Sequence, residues 1–260
     1  MRNAHKFREK LEAGQLVLGT CLSYLDPAVV ETVGPSLDFV WVDAEHNAYS
    51  NETIFQMVIA STACETPILV RVPWNDPVLI KPVLDIGVDG IVVPMIRTAE
   101  DVRNAVSACL YPPQGIRGFG PRRPSNYGRE GGPDYIRRAN ETIIVIVQIE
   151  HIDAVNNIDE ILKVPGLTAV LIGPNDLSGS MGLLGNPRHP DVVQAIQTVI
   201  DKANAAGKHP GLASGGSPEA LIEWVEMGIQ WMAMSADFLL LRHATEEFAA
   251  RIREHVKQTR

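Results

Sequence analysis

Eight short apolar runs, separated by amphipathic segments of helix length, constrain this 260-residue chain more than any other feature. The runs fall at 16–21, 39–43, 68–72, 90–93, 143–149, 169–173, 211–213 and 231–235. Several (LVLG, FVWV, ILVRV, IVVP, IIVIV, AVLIG) are apolar at successive positions, the pattern of strands covered on both faces. Between them, 51–63, 77–86, 99–108, 153–162, 190–206 and 218–227 carry the helical period, and 237–257 extends as a long final helix. Such alternation predicts a parallel sheet wrapped by helices, and eight strands predict one α/β domain over residues 1–260, a (β/α)8 TIM barrel. Phe7 and Leu11, spaced i, i+4 in the opening 3–14 segment, predict a short helix that plugs the bottom of the barrel.

The formal charge of −8 argues against a nucleic-acid surface, because phosphate contacts need clustered Lys and Arg. A small-molecule substrate is the expectation. No apolar run approaches the length that spans a bilayer and the charged opening lacks a signal peptide, so a cytoplasmic protein with no membrane partner is expected. Cys21, Cys64 and Cys109 are odd in number and widely spaced, which suggests neither a disulfide framework nor a zinc cluster.

In a barrel, catalytic groups gather where strands end at the C-terminal face. Reading only those ends gives Asp43, Glu45 and His46, then Arg71, Gln148 with Glu150, Asn175 with Asp176, and Ser214. Glu150 and Asp176 close consecutive strands of a parallel βαβ unit and emerge as neighbours. Two carboxylates there suit a hard divalent cation, which takes its other ligands from water and substrate. Glu150 could instead cap the following helix. Gln148, two residues before Glu150, shares its side of the strand.

Asp43 and His46 share one strand-to-helix turn, where a carboxylate can hold an imidazole ready for proton transfer, unless the histidine is structural. Arg71 ends an apolar strand and needs an anionic partner, either a substrate carboxylate or enolate or an internal pair with Asp43 or Glu45. All seven lysines lie outside the expected strands, which disfavours imine chemistry on a desolvated lysine. The 109–142 connection is long and carries Arg117, Arg122, Arg123 and Arg129; it reads as a lid over an anionic substrate or as a solvated excursion.

Together DFVWVDAEH, VRVPWND, GVDGIVVPMI, GIRGFGPRRPSNYG, QIE and GPNDLSGSMG resemble the HpcH/HpaI aldolases, metal-dependent 4-hydroxy-2-oxoacid lyases on the phosphoenolpyruvate/pyruvate barrel. The likeness runs across nearly the whole chain. It implies that Glu150 and Asp176 bind the cation (Mg²⁺, with Mn²⁺ and Co²⁺ open), that His46 and Asp43 form the acid–base pair, and that Arg71 stabilises a pyruvate enolate. It further implies that Gln148 and the turn at Gly173, Pro174 and Asn175 hold the pyruvate carboxylate, and that Glu45 orients metal-bound water.

The aldehyde product is left open, its pocket expected between loops 21–26 and 213–216, with Ala213 and Ser214 in its lining. The resemblance also implies a homohexamer, a trimer of dimers exchanging the C-terminal helix. Three other readings stand beside the lyase. Gly211 to Ser217 could bind a phosphorylated substrate, the same enolate could serve oxaloacetate decarboxylation, and the fold could persist without catalysis.

Overall fold

The chain, described over residues 2–259 in a computed structural model, alternates strands and helices throughout. The strands are β1 Val17–Leu22, β2 Phe39–Asp43, β3 Ile68–Arg71, β4 Gly90–Val93, β5 Ile144–Ile149, β6 Ala169–Ile172, β7 His209–Ser214 and β8 Trp231–Ala236. They pair in sequence order, all parallel, and close into a barrel. The helices are α1 Ala4–Glu12, α2 Ala28–Val33, α3 Asn51–Ala63, α4 Pro77–Ile86, α5 Ala99–Cys109, α6 Gly132–Thr142, α7 Ile152–Asn156, α8 Ile158–Leu162, α9 Pro174–Ser180, α10 Pro190–Ala205, α11 Pro218–Glu226 and α12 Asp237–Gln258.

The two-residue period of a strand sorts its side chains into two cores. Val40, Val42, Val70, Ile91, Val93, Val145, Val147 and Ile172 face outward and pack against the helices. Phe39, Trp41, Leu69, Val92, Ile144, Ile146, Leu171 and Trp231 fill the interior with Ala4, Phe7 and Leu11 of α1. The plug expected from Phe7 and Leu11 is therefore present. Phe7 meets Phe39 and Trp231 edge-on, with ring centroids 5.4 Å and 5.7 Å away. Gly211 admits the indole, since a Cβ there would lie 2.0 Å from Trp231. Asn3 fastens the plug by donating its N–H to buried Asp89 at 2.9 Å. Phe7→Ala is expected to cost about 3–5 kcal/mol of unfolding free energy, read by chemical denaturation.

Four features differ from the sequence reading. The 153–162 helix is two short ones, α7 and α8, broken at Asn157. β7 starts earlier than expected, because Pro210 still contributes a carbonyl that accepts the Gln230 N–H at 2.9 Å. α2 and α9 are extra, one helical turn or two each.

The fourth is the lid. Helix α5 carries the chain back from the catalytic rim, so residues 110–131 cross the opposite, N-terminal end of the barrel before α6 leads into β5. Arg117 pairs with Asp85 near the end of α4 at 2.8 Å, and Arg123 donates to Thr62 near the end of α3 at 2.7 Å. Both helices end on the face away from the rim. The segment thus cannot close over this chain's own rim, and its last 11 residues are the helix α6.

Candidate active site

Strand register brings the first pair together. β2 and β3 align Asp43 beside Arg71 as Cα partners, both at strand ends and both facing the interior. Arg71 is 6% exposed and makes a two-pronged contact, Nε to Asp43 Oδ1 at 2.8 Å and Nη2 to Oδ2 at 2.7 Å. Its guanidinium lies 4.9 Å from the centroid of the Trp41 ring, one interior layer below. Arg71 Nη1 sits 2.9 Å from Glu45 Oε2, an ionic contact off the N–H direction that leaves this buried oxygen without a hydrogen bond. Burial opposes the arginine's charge, but the bonds and charge of Asp43, helped by Glu45 and Glu150, outweigh it and raise its pKa.

The second half comes from β5. Gln148 accepts from Arg71 Nη1 at 3.3 Å through Oε1 and donates to Glu150 Oε2 at 2.6 Å through Nε2, so the amide couples cation to carboxylate. Glu150 Oε1 accepts the Met95 N–H at 2.6 Å. Met95 holds φ of 56°, a left-handed conformation that costs a residue with a Cβ about 1–3 kcal/mol. Glu150 does not cap α7, because His151 does so through Nδ1, which accepts the Asp153 N–H at 3.1 Å. The β6 end is pressed close: a Cβ on Gly173 would lie 2.9 Å from Gln148 Nε2 and 3.1 Å from Glu150. From Gly173 the chain turns into α9, whose first turn carries Asp176.

Electrostatics ties these groups into one centre. Burial pushes the Glu150 carboxyl up to about 7, and the charges of Glu45 and Asp176 push the same way. Burial also raises Glu45, again with Asp43 and Asp176 adding to it against Arg71 and His46. Among the described residues four carboxylates, Asp43, Glu45, Glu150 and Asp176, thus share one buried cation, Arg71, with His46 exposed at the edge, and the centre is short of positive charge. That deficit fits a divalent cation. Among the described residues no three His, Cys, Asp or Glu side chains converge as a complete ligand set. A cation here would therefore take Glu150 and Asp176, whose oxygens are not committed to Arg71, and fill its other positions from water and substrate.

The expected residues divide by position. Asp43, Arg71, Gln148 and Glu150 form the buried cluster with Glu45 half-buried against it, while Asp176 stands exposed at its edge. His46 has a 65% exposed side chain, with Nε2 3.8 Å from Glu45 Oε2. Asp43 does not hold the imidazole. Arg71 occupies its oxygens, and what remains goes to the backbone N–H of Glu45 at 3.1 Å and of His46 at 3.4 Å and to the Asn47 amide at 3.4 Å. Asp43 thus shapes the turn that carries His46, and the internal pairing of Arg71 is the one formed.

Pro174 is buried and Asn175 exposed in the first turn of α9, Ala213 packs on the interior core, and Ser214 donates to the Gly215 carbonyl at 3.0 Å. Ser217 caps α11 by accepting the Ala220 N–H. Gly216 and Ser217 border an apolar groove beside β8, which removes support for a phosphate site there. Trp41 and Met95 escaped the sequence reading, as did Asp237. The Asp237 carboxylate accepts the Ser23 and Tyr24 N–H groups and fixes the β1 loop at the rim.

A family model described as HpcH/HpaI aldolase/citrate lyase matches residues 26–237. A 4-hydroxy-2-oxo-heptane-1,7-dioate aldolase of Salmonella paratyphi C is 39% identical over 254 residues, covering 96% of this chain and 95% of that protein. The solved HpcH/HpaI aldolase from Desulfitobacterium hafniense is 33% identical with a TM-score of 0.87, covering 95% of this chain and 96% of that one. The solved citrate synthase SbnG is 31% identical with a TM-score of 0.83, covering 95% and 98%.

Proposed function

The chain belongs to the HpcH/HpaI aldolase/citrate lyase family, and from that premise we propose a divalent-cation-dependent aldolase that reversibly cleaves a 4-hydroxy-2-oxoacid into pyruvate and an aldehyde. The observation that carries this reading is a buried arginine set among carboxylates that outnumber it, at the mouth of a closed barrel. Glu150 and Asp176 would hold the cation, Mg²⁺ first with Mn²⁺ and Co²⁺ as alternatives. Bound there, it supplies Lewis-acid polarisation of the 2-oxo and carboxylate oxygens.

The residues of the chain do the rest. In the cleavage direction the C3–C4 bond breaks, its electrons move toward C2, and the C2 oxygen becomes an enolate. Arg71, held rigid by Asp43, Glu45 and Gln148, presents a fixed positive charge to that oxygen and needs no reorganisation as charge develops. His46, exposed in the rim, takes the C4 hydroxyl proton through water as the aldehyde carbonyl forms, and return of a proton to C3 converts the enolate to pyruvate. Gln148 and the Gly173–Pro174–Asn175 turn orient the pyruvate carboxylate. Glu45, with one oxygen lacking a hydrogen bond, orients water beside the cation.

Oxaloacetate decarboxylation passes through the same enolate, and the likeness to a solved citrate synthase supports carbon–carbon chemistry on small oxoacids as the general reading. A coupled assay of pyruvate release across a panel of 4-hydroxy-2-oxoacids, with oxaloacetate included, tests the reading. Cation-dependent cleavage of at least one hydroxyoxoacid is expected. Decarboxylation alone, or turnover of none, would overturn it.

We further propose a homohexamer, a trimer of dimers exchanging α12. In support, α12 exposes Phe238, Leu241, Phe248, Ile252 and Val256, and an apolar groove of about 620 Å³ lies among Leu16, Leu18, Leu221, Val225, Met232 and Met234. Phe248→Asp with Ile252→Asp is expected to lower the mass seen by light scattering. A wild-type monomer would contradict the assembly. Among the described residues no helix is long and apolar enough to cross a membrane.

A further inference from the structure

We propose that the arginine-rich connection forms a second, non-catalytic site on the N-terminal side of the barrel, where a small dianion of the phosphate class binds among Arg2, Arg123 and Arg138. The three residues line one cavity of about 330 Å³, whose other walls include Pro124, Asn126 and Tyr135. That volume is at the lower end of the roughly 300–1,000 Å³ typical of ligand pockets, which suits a compact anion with its water.

Charge is the reason an anion belongs there. Arg123 is 8% exposed, yet its recorded partners are neutral: the Thr62 hydroxyl at 2.7 Å and the Val58 carbonyl at 3.4 Å. Among the described residues no acid lies within ion-pair distance of Arg123 or of Arg2. Glu130 is the one acid in the cavity wall and is paired with Arg138. Three arginines against one glutamate leave the lining of this cavity with a net positive charge of two.

The charges also act on one another. Burial lowers the Arg123 pKa and the charge of Arg2 lowers it further. Tyr127 and Asp89 act in the opposite direction, but both Asp89 oxygens are already committed, one to the Asn3 N–H at 2.9 Å and the other to the Ile68 N–H at 3.1 Å. A buried guanidinium without an anionic partner is costly, and guanidinium forks match phosphate oxygens in geometry and charge. Tyr135, whose buried hydroxyl lies by that of Tyr111 without a well-formed hydrogen bond, completes the wall.

The site is separate from the chemistry. Arg123 bonds to the far end of α3, so the cavity and the carboxylate centre lie at opposite ends of the barrel. The anion expectation that the sequence attached to this segment is kept and its location changes. The source is either free phosphate or the phosphate group of a small metabolite, and the two give different titrations.

Calorimetric titration of the full chain with inorganic phosphate, and in parallel with glycerol phosphate, at fixed ionic strength and against a chloride control, tests the proposal. One saturable phosphate site per chain is expected, with the ester weaker if free phosphate is the ligand and tighter if a metabolite is. Glu130→Gln removes the competing carboxylate and frees Arg138, so it is expected to tighten binding about three- to tenfold. Arg2→Ala is expected to weaken it by a similar factor. Both positions lie far from the rim, so aldol turnover is expected to stay unchanged. No saturable binding of either compound, or equal affinity in wild type, Glu130→Gln and Arg2→Ala, would overturn the site.

Discussion

Arg71→Met is expected to lower pyruvate release by about 10²–10³-fold, the usual effect of removing a fixed donor from a developing oxyanion. The loss extends to both directions of the reaction, because exchange of the pyruvate C3 protons forms the same enolate. Arg71→Lys is expected to recover little. An ammonium cannot reproduce the two-pronged contact to Asp43 at 2.8 Å and 2.7 Å while keeping a cation 4.9 Å from the Trp41 ring centroid. Removing the guanidinium also leaves Asp43 buried and unpaired, a change that can cost about 3–5 kcal/mol. Thermal unfolding of each variant therefore accompanies the kinetics. A folded Arg71→Met protein that exchanges C3 protons at the wild-type rate would contradict the assigned role.

Glu150→Gln is expected to abolish turnover while making the cation-free protein more stable. The amide keeps an oxygen for the Met95 N–H, and its NH2 is accommodated by turning the Gln148 amide over, which gives up the 3.3 Å contact to Arg71, while one of the two proposed cation ligands loses its charge. The stability gain follows from the direction of the carboxyl's shift, with the folded-state value of about 7 above the ordinary 4.5. An acid raised on folding is protonated in both states below about 4.5 and carries no penalty there. The penalty grows as pH rises through the window from 4.5 to 7, and it is full above it. At pH 8 the variant should exceed the wild type by up to about 3 kcal/mol, and near pH 4 the two should match. Equal stability at pH 8, measured by denaturant unfolding without cation, would remove the charge-deficit argument.

Much of this centre was legible because a barrel reduces the search to strand ends. Asp43, Arg71, Gln148 and Glu150 could be named since the apolar runs stop at them and the two-residue period sets their side. What each one touches was less accessible. The pairing of Asp43 with Arg71, and not with His46, depends on the β2–β3 register, which places the two residues side by side.

Trp41 reads as one more apolar residue in FVWV, and only the closed barrel shows that its ring supports the arginine. Met95 acts through its backbone N–H in a left-handed conformation that a glycine would ordinarily announce, so no side-chain signal marks it. The lid was misplaced for a topological reason: any segment between a helix and the next strand of a βαβ unit lies at the N-terminal end. The missed helix α6 did carry a signal, with Pro133 in its first turn and Tyr135 and Ala139 spaced i, i+4 on its buried face.

Glu150 and Asp176 together holding one divalent cation is the claim on which the chemistry rests. Titration of Mn²⁺ into chelator-treated protein, followed by electron paramagnetic resonance and by pyruvate release from the best hydroxyoxoacid, tests it most directly. One bound Mn²⁺ per chain is expected, with activity returning in step with occupancy and both lost in Glu150→Gln and in Asp176→Asn. Full activity after chelation, or Mn²⁺ binding untouched by either substitution, would contradict the assignment.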